Sequence, residues 1–166
     1  MNEVLSWILT LLGAVALALL IRTVLFEPVR VIGHSMLDTL QDGEVMFVTK
    51  LDYLTGDPQR FDVVICHYPN RTENFVKRVV GLPGDTLAVT EGKLYVNGEE
   101  ISESYITYPP RYTLPELTVP EGQYFVLGDN RANSNDSHLL GPLKRSQIVG
   151  HVRAVVFPFS KWRGIE

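Results

Sequence analysis

From Val4 to Ile21 the chain reads VLSWILTLLGAVALALLI, eighteen residues without a charge. A helix rises 1.5 Å per residue, so the run covers about 27 Å, against about 30 Å of bilayer hydrocarbon. Extension to Phe26 completes the span, with Arg22 reaching back to the interface. A transmembrane helix is expected here. A cleavable leader fits less well, because residues 1–3 are Met-Asn-Glu with no basic residue, and the small-residue triplets AVA and ALA lie inside the run. A buried core helix would need a helical partner, and no later segment reads as one. Arg22 and Arg30 follow the run and no basic residue precedes it, so the charge rule weakly places the remainder in the cytoplasm.

Past Pro28, which closes off helical structure, the chain reads as short strands. They are VRVIG (29–33), EVMFVTKL (44–51), DVVICHY (62–68), NFVKRVVGL (74–82), DTLAVT (85–90), KLYVNGEEI (93–101), QYFVLGD (123–129) and HVRAVVFPF (151–159). Turn signals separate them. EGK between two alternating runs reads as a hairpin turn, and VNGEE as an Asn-Gly turn. KRSQIVG (144–150) contains one helical turn. The expected fold is therefore mainly β, an antiparallel sandwich or barrel-like domain over residues 28–166, after an anchor over 1–27. Segment 102–122 holds four of the ten prolines and lacks a period, so it reads as an insertion or surface loop.

The formal net charge of -4 offers no basic footprint for nucleic acid. The single cysteine, Cys66, permits no internal disulfide and reads as a small buried apolar residue. The four histidines (34, 67, 138, 151) show no paired spacing with it, so no metal is expected. Cys66 and His67 are neighbours on a strand and face opposite sides, with His67 toward solvent, so they form no catalytic pair. Asp129 and Asp136 share one loop, where turn chemistry is the ordinary reading. GLPGD lacks the lysine-serine ending of a phosphate loop. Nucleophilic catalysis remains, with Ser35 in GHSMLDTLQDG (33–43) as one serine among several. Spacing does not decide between a nucleophile and a turn cap there.

Four patches resemble one family, the bacterial type I signal peptidases. SMLDTL (35–40) is similar to the family's nucleophile box, Ser-Met-x-Pro-Thr-Leu. FDVVICHYP (61–69) is similar to the strand box that follows. VKRVVGLPGD (76–85) matches the lysine box. GDNRANSNDSH (128–138) resembles the last box. All four occur in family order after one apolar helix. The resemblance implies that Ser35 is the nucleophile and Lys77 its general base, with no cofactor. Ser134 would hold the Lys77 amine and Met36 would pack beneath the site. Arg78, Asp129, Arg131 and Asp136 would brace the loops. The Ser35 N–H would serve the oxyanion. The position of a second donor in some relatives is Gly33 here, which has no side chain. The substrates implied are preprotein signal peptides with small residues at −3 and −1, held in shallow apolar pockets near residues 29–34 and 62–80. The place implied is the cell membrane, crossed once, with membrane lipid as partner and the catalytic domain outside the cytoplasm, against the weak charge rule.

The mechanism makes a demand of its own. A lysine serves as base only when neutral, so its ordinary pKa of about 10.4 must fall. In NFVKRVV, Lys77 shares a strand face with Phe75 and Val79, while Arg78 takes the other. Two departures from the family stand out. Asp38 replaces proline, and a carboxylate near Lys77 would hold the amine charged. The preferred reading turns Asp38 outward, with Gln41 at capping-box spacing. The alternative is a weak or silent homologue acting as a membrane-tethered binding module. His138 replaces arginine, so its pairing with Asp136 depends on imidazole protonation. Self-cleaving repressor-type Ser/Lys proteases are a further rival, but they carry a DNA-binding domain where this chain has an apolar helix.

Overall fold

A computed structural model of the protein describes residues 3–69 and 71–165, with side chains described outside 20–26. Helix α1 runs Glu3–Leu25. Its described side chains are exposed on every side, Val4, Trp7, Leu11 and Leu17 among them. Among the described residues no helix is long and apolar enough to cross a membrane. The side chains that complete the expected span, Arg22 included, lie outside the described set.

Among the described residues twelve strands follow: β1 (Phe26–Arg30), β2 (Val45–Thr49), β3 (Val63–Cys66), β4 (Phe75–Gly81), β5 (Thr86–Thr90), β6 (Lys93–Val96), β7 (Glu99–Glu100), β8 (Leu114–Thr118), β9 (Gln123–Leu127), β10 (Leu143–Lys144), β11 (Ile148–Phe157) and β12 (Arg163–Gly164). They form two sheets. The larger has the order β1-β2-β11-β3-β4-β9-β10, with β12 also on β11; the smaller is β7-β6-β5-β8. All pairings within them are antiparallel. The mainly β, antiparallel expectation therefore holds.

Both expected turns form. Glu91 and Gly92 join β5 to β6 with φ of 52° and 76°, and Asn97 and Gly98 join β6 to β7 with 53° and 81°. Two successive positive φ values give the primed turn whose twist suits a hairpin. The run read as one strand over 93–101 is thus two strands about a turn.

Four local expectations change. The first strand is β1 at 26–30, not 29–33. Pro28 sits inside it, facing Phe47 of β2. Proline is tolerated there because β1 is the sheet's edge, where one row of N–H groups has no strand to serve. Segment 102–122 is not all loop, since Leu114–Thr118 is β8 and pairs with β5. Pro115 hid it, and again the strand is an edge. Two short helices, α2 (Asp52–Thr55) and α3 (Ser137–Leu140), were not foreseen. The helical turn expected in 144–150 is a single 3-10 turn at Arg145–Gln147.

Three buried clusters hold the sheets. Val31, Met36, Leu40, Met46, Val48, Val63, Ile65, Val152, Val155 and Ile165 form the first, beneath β1, β2, β3 and β11. Val64, Cys66, Tyr68, Val79, Tyr124, Val126, Leu143 and Ile148 form the second. Val80, Leu87, Val89, Leu94, Val96, Val119, Phe125 and Leu127 form the third, which joins the two sheets. Strand alternation sends Val79 and Val80 of β4 into different clusters. At Gly150 of β11 a side chain would meet Val48 Cγ1 at 2.6 Å, so a glycine is needed for β2 and β11 to pack.

Candidate active site

The connection from β1 to β2 carries Ser35. It leaves β1 through the Val31 N–H, which donates to the Glu44 carbonyl at 2.8 Å. It then turns at Gly33, whose φ of +96° suits a residue without Cβ. The Gly33 N–H donates to Asp42 Oδ1 at 2.8 Å, which closes the loop on itself. Met36 and Leu40 plug its underside into the first cluster. Ser35 is left half-exposed above them.

β4 carries Lys77, which pairs in register with Val64 of β3. Lys77 Nζ lies 2.8 Å from Ser35 Oγ and donates to the Val76 carbonyl at 3.0 Å. The amine sits 5.6 Å from the centre of the Phe75 ring, the face-sharing neighbour that the alternation predicted. Lys77 is only 2% exposed, and burial lowers its pKa from the ordinary lysine value. Asp136, Cys66 and Asp129 pull the other way and do not prevail. A neutral amine here has its lone pair free for the Ser35 hydroxyl proton while one N–H stays on Val76. Serine activation by an uncharged lysine is what the arrangement can do.

Asp38, the feared carboxylate, is exposed and is not among the groups acting on the amine. The expected capping box with Gln41 does not form. The Gln41 N–H donates to Glu44 Oε2 at 2.9 Å, because Glu44 is buried beside it and Asp38 points away. The loop's cap is thus a different carboxylate from the one the spacing suggested.

Arg78, on the opposite face of β4 from Lys77, donates to Asp129 through Nε at 3.0 Å and Nη2 at 2.8 Å. It also donates to the Phe61 carbonyl at 2.8 Å and lies over the Tyr105 ring. Asp129 Oδ2 accepts from Thr39 Oγ1 at 2.5 Å, so the brace reaches the nucleophile loop. Arg131 donates to both oxygens of Glu103 and through Nε to the Gly128 carbonyl. Asp136 Oδ2 accepts the Gly128 N–H at 2.9 Å, and its Oδ1 lies 2.6 Å from His138 Nδ1. His138 stacks flat on Tyr112, ring centres 4.0 Å apart.

Ser134 does not make the bond to Lys77 that the resemblance implied. Its hydroxyl is buried with no hydrogen-bond partner. It packs on Gly128, where a Cβ would collide with Ser134 Oγ and the Ser35 carbonyl. That glycine lets loop 128–138 press against the nucleophile. His67 is half-buried, with its carbonyl accepting from Gln147 Nε2 at 3.0 Å. Cys66 is fully buried, as expected, and its thiol is pushed up to about 12 by burial.

Several contributors were missed. Asn130 donates its N–H to the Ser35 carbonyl at 3.0 Å and its Nδ2 to the His34 carbonyl at 3.1 Å, which fixes the backbone at Ser35. Its place in GDNR was the available signal. Glu103 lay in the segment read as loop and carried no signal. A groove of about 640 Å³ opens beside the dyad. Val29, Val31, Ile65, Phe75 and Val76 wall it, with Ser35 and Lys77 on its floor. These walls lie in the two stretches the sequence pointed to.

The chain is similar to known proteins along nearly its whole length. The profile of the family described as signal peptidase, peptidase S26, matches residues 4–157. The probable signal peptidase I-1 of Synechocystis is 42% identical, covering 92% of this chain and 82% of its own. The signal peptidase I of Bacillus licheniformis is 40% identical, covering 98% and 93%. A solved signal peptidase I from Enterococcus faecalis V583 is 36% identical with a TM-score of 0.49, covering 58% of this chain and 97% of that one. A profile matched over nearly the whole chain, with relatives at this identity across it, leaves one assignment: the chain belongs to the peptidase S26 family of signal peptidases.

Proposed function

We propose that the chain is a membrane-bound serine endopeptidase that removes N-terminal signal peptides from exported preproteins, using Ser35 and Lys77. The carrying observation is the 2.8 Å approach of Lys77 Nζ to Ser35 Oγ in a buried, apolar setting that lowers the amine's pKa. In acylation the Ser35 proton passes to Nζ while Oγ attacks the scissile carbonyl carbon. Collapse of the tetrahedral adduct breaks the C–N bond, and the ammonium returns its proton to the leaving amine. Water then repeats the sequence on the ester, again with Lys77 as base. The Ser35 N–H has no acceptor among the described residues, which leaves it for the oxyanion. Gly33 offers no second donor, since its N–H is held by Asp42.

The groove supports a preference for small residues at −3 and −1. Its walls are branched and aromatic side chains on strands, and a larger substrate side chain would have to displace them. The membrane reading rests on α1, whose described apolar side chains face outward on all sides. Ile32, Phe157, Phe159 and Trp162 add exposed apolar surface on the β domain. Arg30, Val45 and Phe157 lie in register across β1, β2 and β11, so part of that surface flanks the groove strand. Cleavage of exported chains places the β domain outside the cytoplasm. The binding-module alternative loses its argument from Asp38, which faces solvent.

A labelled preprotein incubated with the full chain in lipid vesicles tests the reading. Wild type releases the signal peptide, while Ser35→Ala and Lys77→Ala fall to the background rate. Unchanged cleavage in either variant overturns the dyad.

A further inference from the structure

We propose that Arg163, on the last strand, is a positioning residue: its guanidinium fastens the far end of the nucleophile loop and so holds Ser35 against Lys77. This rests on the dyad reading above. The family profile ends at residue 157, short of this contact.

The loop from Ser35 to Glu44 has two ends. The Ser35 end is held by Asn130 through the Ser35 carbonyl. The other end is held by Arg163 on the Glu44 carboxylate, with Lys161 Nζ farther off at 3.9 Å and the Val31 N–H on the Glu44 carbonyl. Arg163 Nη1 donates to Glu44 Oε1 at 3.0 Å, and Nη2 donates to Glu44 Oε2 at 2.7 Å and to the Thr39 carbonyl at 2.8 Å. One planar fork thus spans residues 39 and 44, a job for arginine geometry that lysine's single ammonium does not match. Glu44 is 2% exposed, and its Oε2 also takes the Gln41 N–H. Lys161 Nζ adds a contact to Gln41 Oε1 at 2.5 Å.

The clamp itself is anchored. Arg163 lies on β12, paired with Val155 of β11, and Arg163 Nη1 donates to the Lys161 carbonyl at 3.1 Å. Ile165, two residues on, packs in the cluster that contains Met36 and Leu40. Thr39, whose carbonyl the fork holds, gives its hydroxyl to Asp129. The C-terminal strand therefore touches the residues beneath and beyond the serine without touching the groove, whose lining excludes it. Loss of Arg163 should act on the chemical step rather than on substrate binding.

The test compares wild type, Arg163→Ala, Arg163→Lys and the pair Arg163→Ala with Glu44→Gln, which leaves no unpaired buried carboxylate if the single variant fails to fold. In preprotein cleavage well below each variant's unfolding temperature, Arg163→Ala and the pair lower kcat at least tenfold with KM within twofold, and Arg163→Lys recovers part of the loss. Amide hydrogen exchange is read on the same proteins. Peptides covering 35–44 exchange at least tenfold faster without Arg163, while those from β5 and β6 are unchanged. Equal protection of 35–44 overturns the clamp whatever cleavage shows. Faster exchange with kcat within twofold of wild type overturns the positioning role. A wild type that does not cleave, with exchange as expected, instead overturns the proposed function and leaves the clamp standing.

Discussion

Removal of the Asp129 carboxylate should be among the most damaging single changes in this protein. In Asp129→Ala the Arg78 guanidinium, 1% exposed, loses its contacts to that carboxylate at 3.0, 3.3 and 2.8 Å and keeps the Phe61 carbonyl among its other contacts. Thr39 loses its acceptor as well. Stranding one member of a buried ion pair costs about 3–5 kcal/mol, most of it the desolvation of the charge left behind. For a protein of this size each kcal/mol moves Tm by about 2–4 °C, so the melting temperature should fall by about 12 °C. Glu100→Ala is the control. Its pair with Lys93 is as short, at 2.9 Å, but the side chains are 48% and 54% exposed. Such a solvent-screened pair contributes little. Distance alone predicts equal losses; burial predicts a several-fold difference. Replacing the pair by apolar residues, Arg78→Met with Asp129→Leu, should recover part of the stability lost in Asp129→Ala. Thermal melts and urea titrations of the four proteins decide it. A drop in Asp129→Ala no larger than in Glu100→Ala refutes the reasoning.

Other outcomes follow from the same structure. Phe75→Asp sets a carboxylate beside the Lys77 amine and should move the acidic limb of the pH–rate profile to higher pH, since an adjacent negative charge favours the ammonium; an unmoved limb counts against Lys77 as base. Asp38→Pro should leave that profile unchanged, because the carboxylate is exposed and does not act on the amine. Glu44 keeps a net lowered pKa although burial, the largest influence, raises it; the Arg163 and Gln41 hydrogen bonds outweigh that. A depressed carboxylate stabilises the fold above its unfolded value of 4.5 and loses this as pH falls through its folded value, so Glu44→Gln should flatten the acid side of a stability–pH curve. His138→Ala removes the contact to Asp136 and the stack on Tyr112, and should lower stability by about 1–2 kcal/mol in urea titration.

How much of this was readable beforehand depended on whether the signal was local. The alternation in NFVKRVV told which face Lys77 takes, because strand period is a backbone property. The two hairpin turns were readable because positive φ demands Gly or Asn at fixed places. Edge strands were not readable. Pro28 and Pro115 look like breakers, and only the topology shows that no neighbour asks for their N–H. The capping of the nucleophile loop was misassigned for a similar reason. Asp38 and Gln41 have the right spacing, but burial of Glu44 under Arg163, 119 residues away, decided the contest. The hydroxyl at Ser134 was assigned a partner by likeness to a motif. The structure leaves it buried and unbonded, a fact no spacing could give.

The same strand holds one cation pushed toward its neutral form and a guanidinium that stays charged at adjacent positions, and alternation is what reconciles them. Lys77 faces the groove, where burial lowers its pKa; Arg78 faces the loops, where Asp129 waits for it. Each half protects the other. Asp129 and Asp136 both act to keep the Lys77 amine charged. Their oxygens are engaged elsewhere, Asp129 by Arg78 and Thr39, Asp136 by the Gly128 N–H and His138. A carboxylate whose charge is already met by a guanidinium presents less of it to a neighbour. The braces are therefore electrostatic as well as mechanical. They hold the loops in place, and they lessen the pull of two carboxylates on the Lys77 amine.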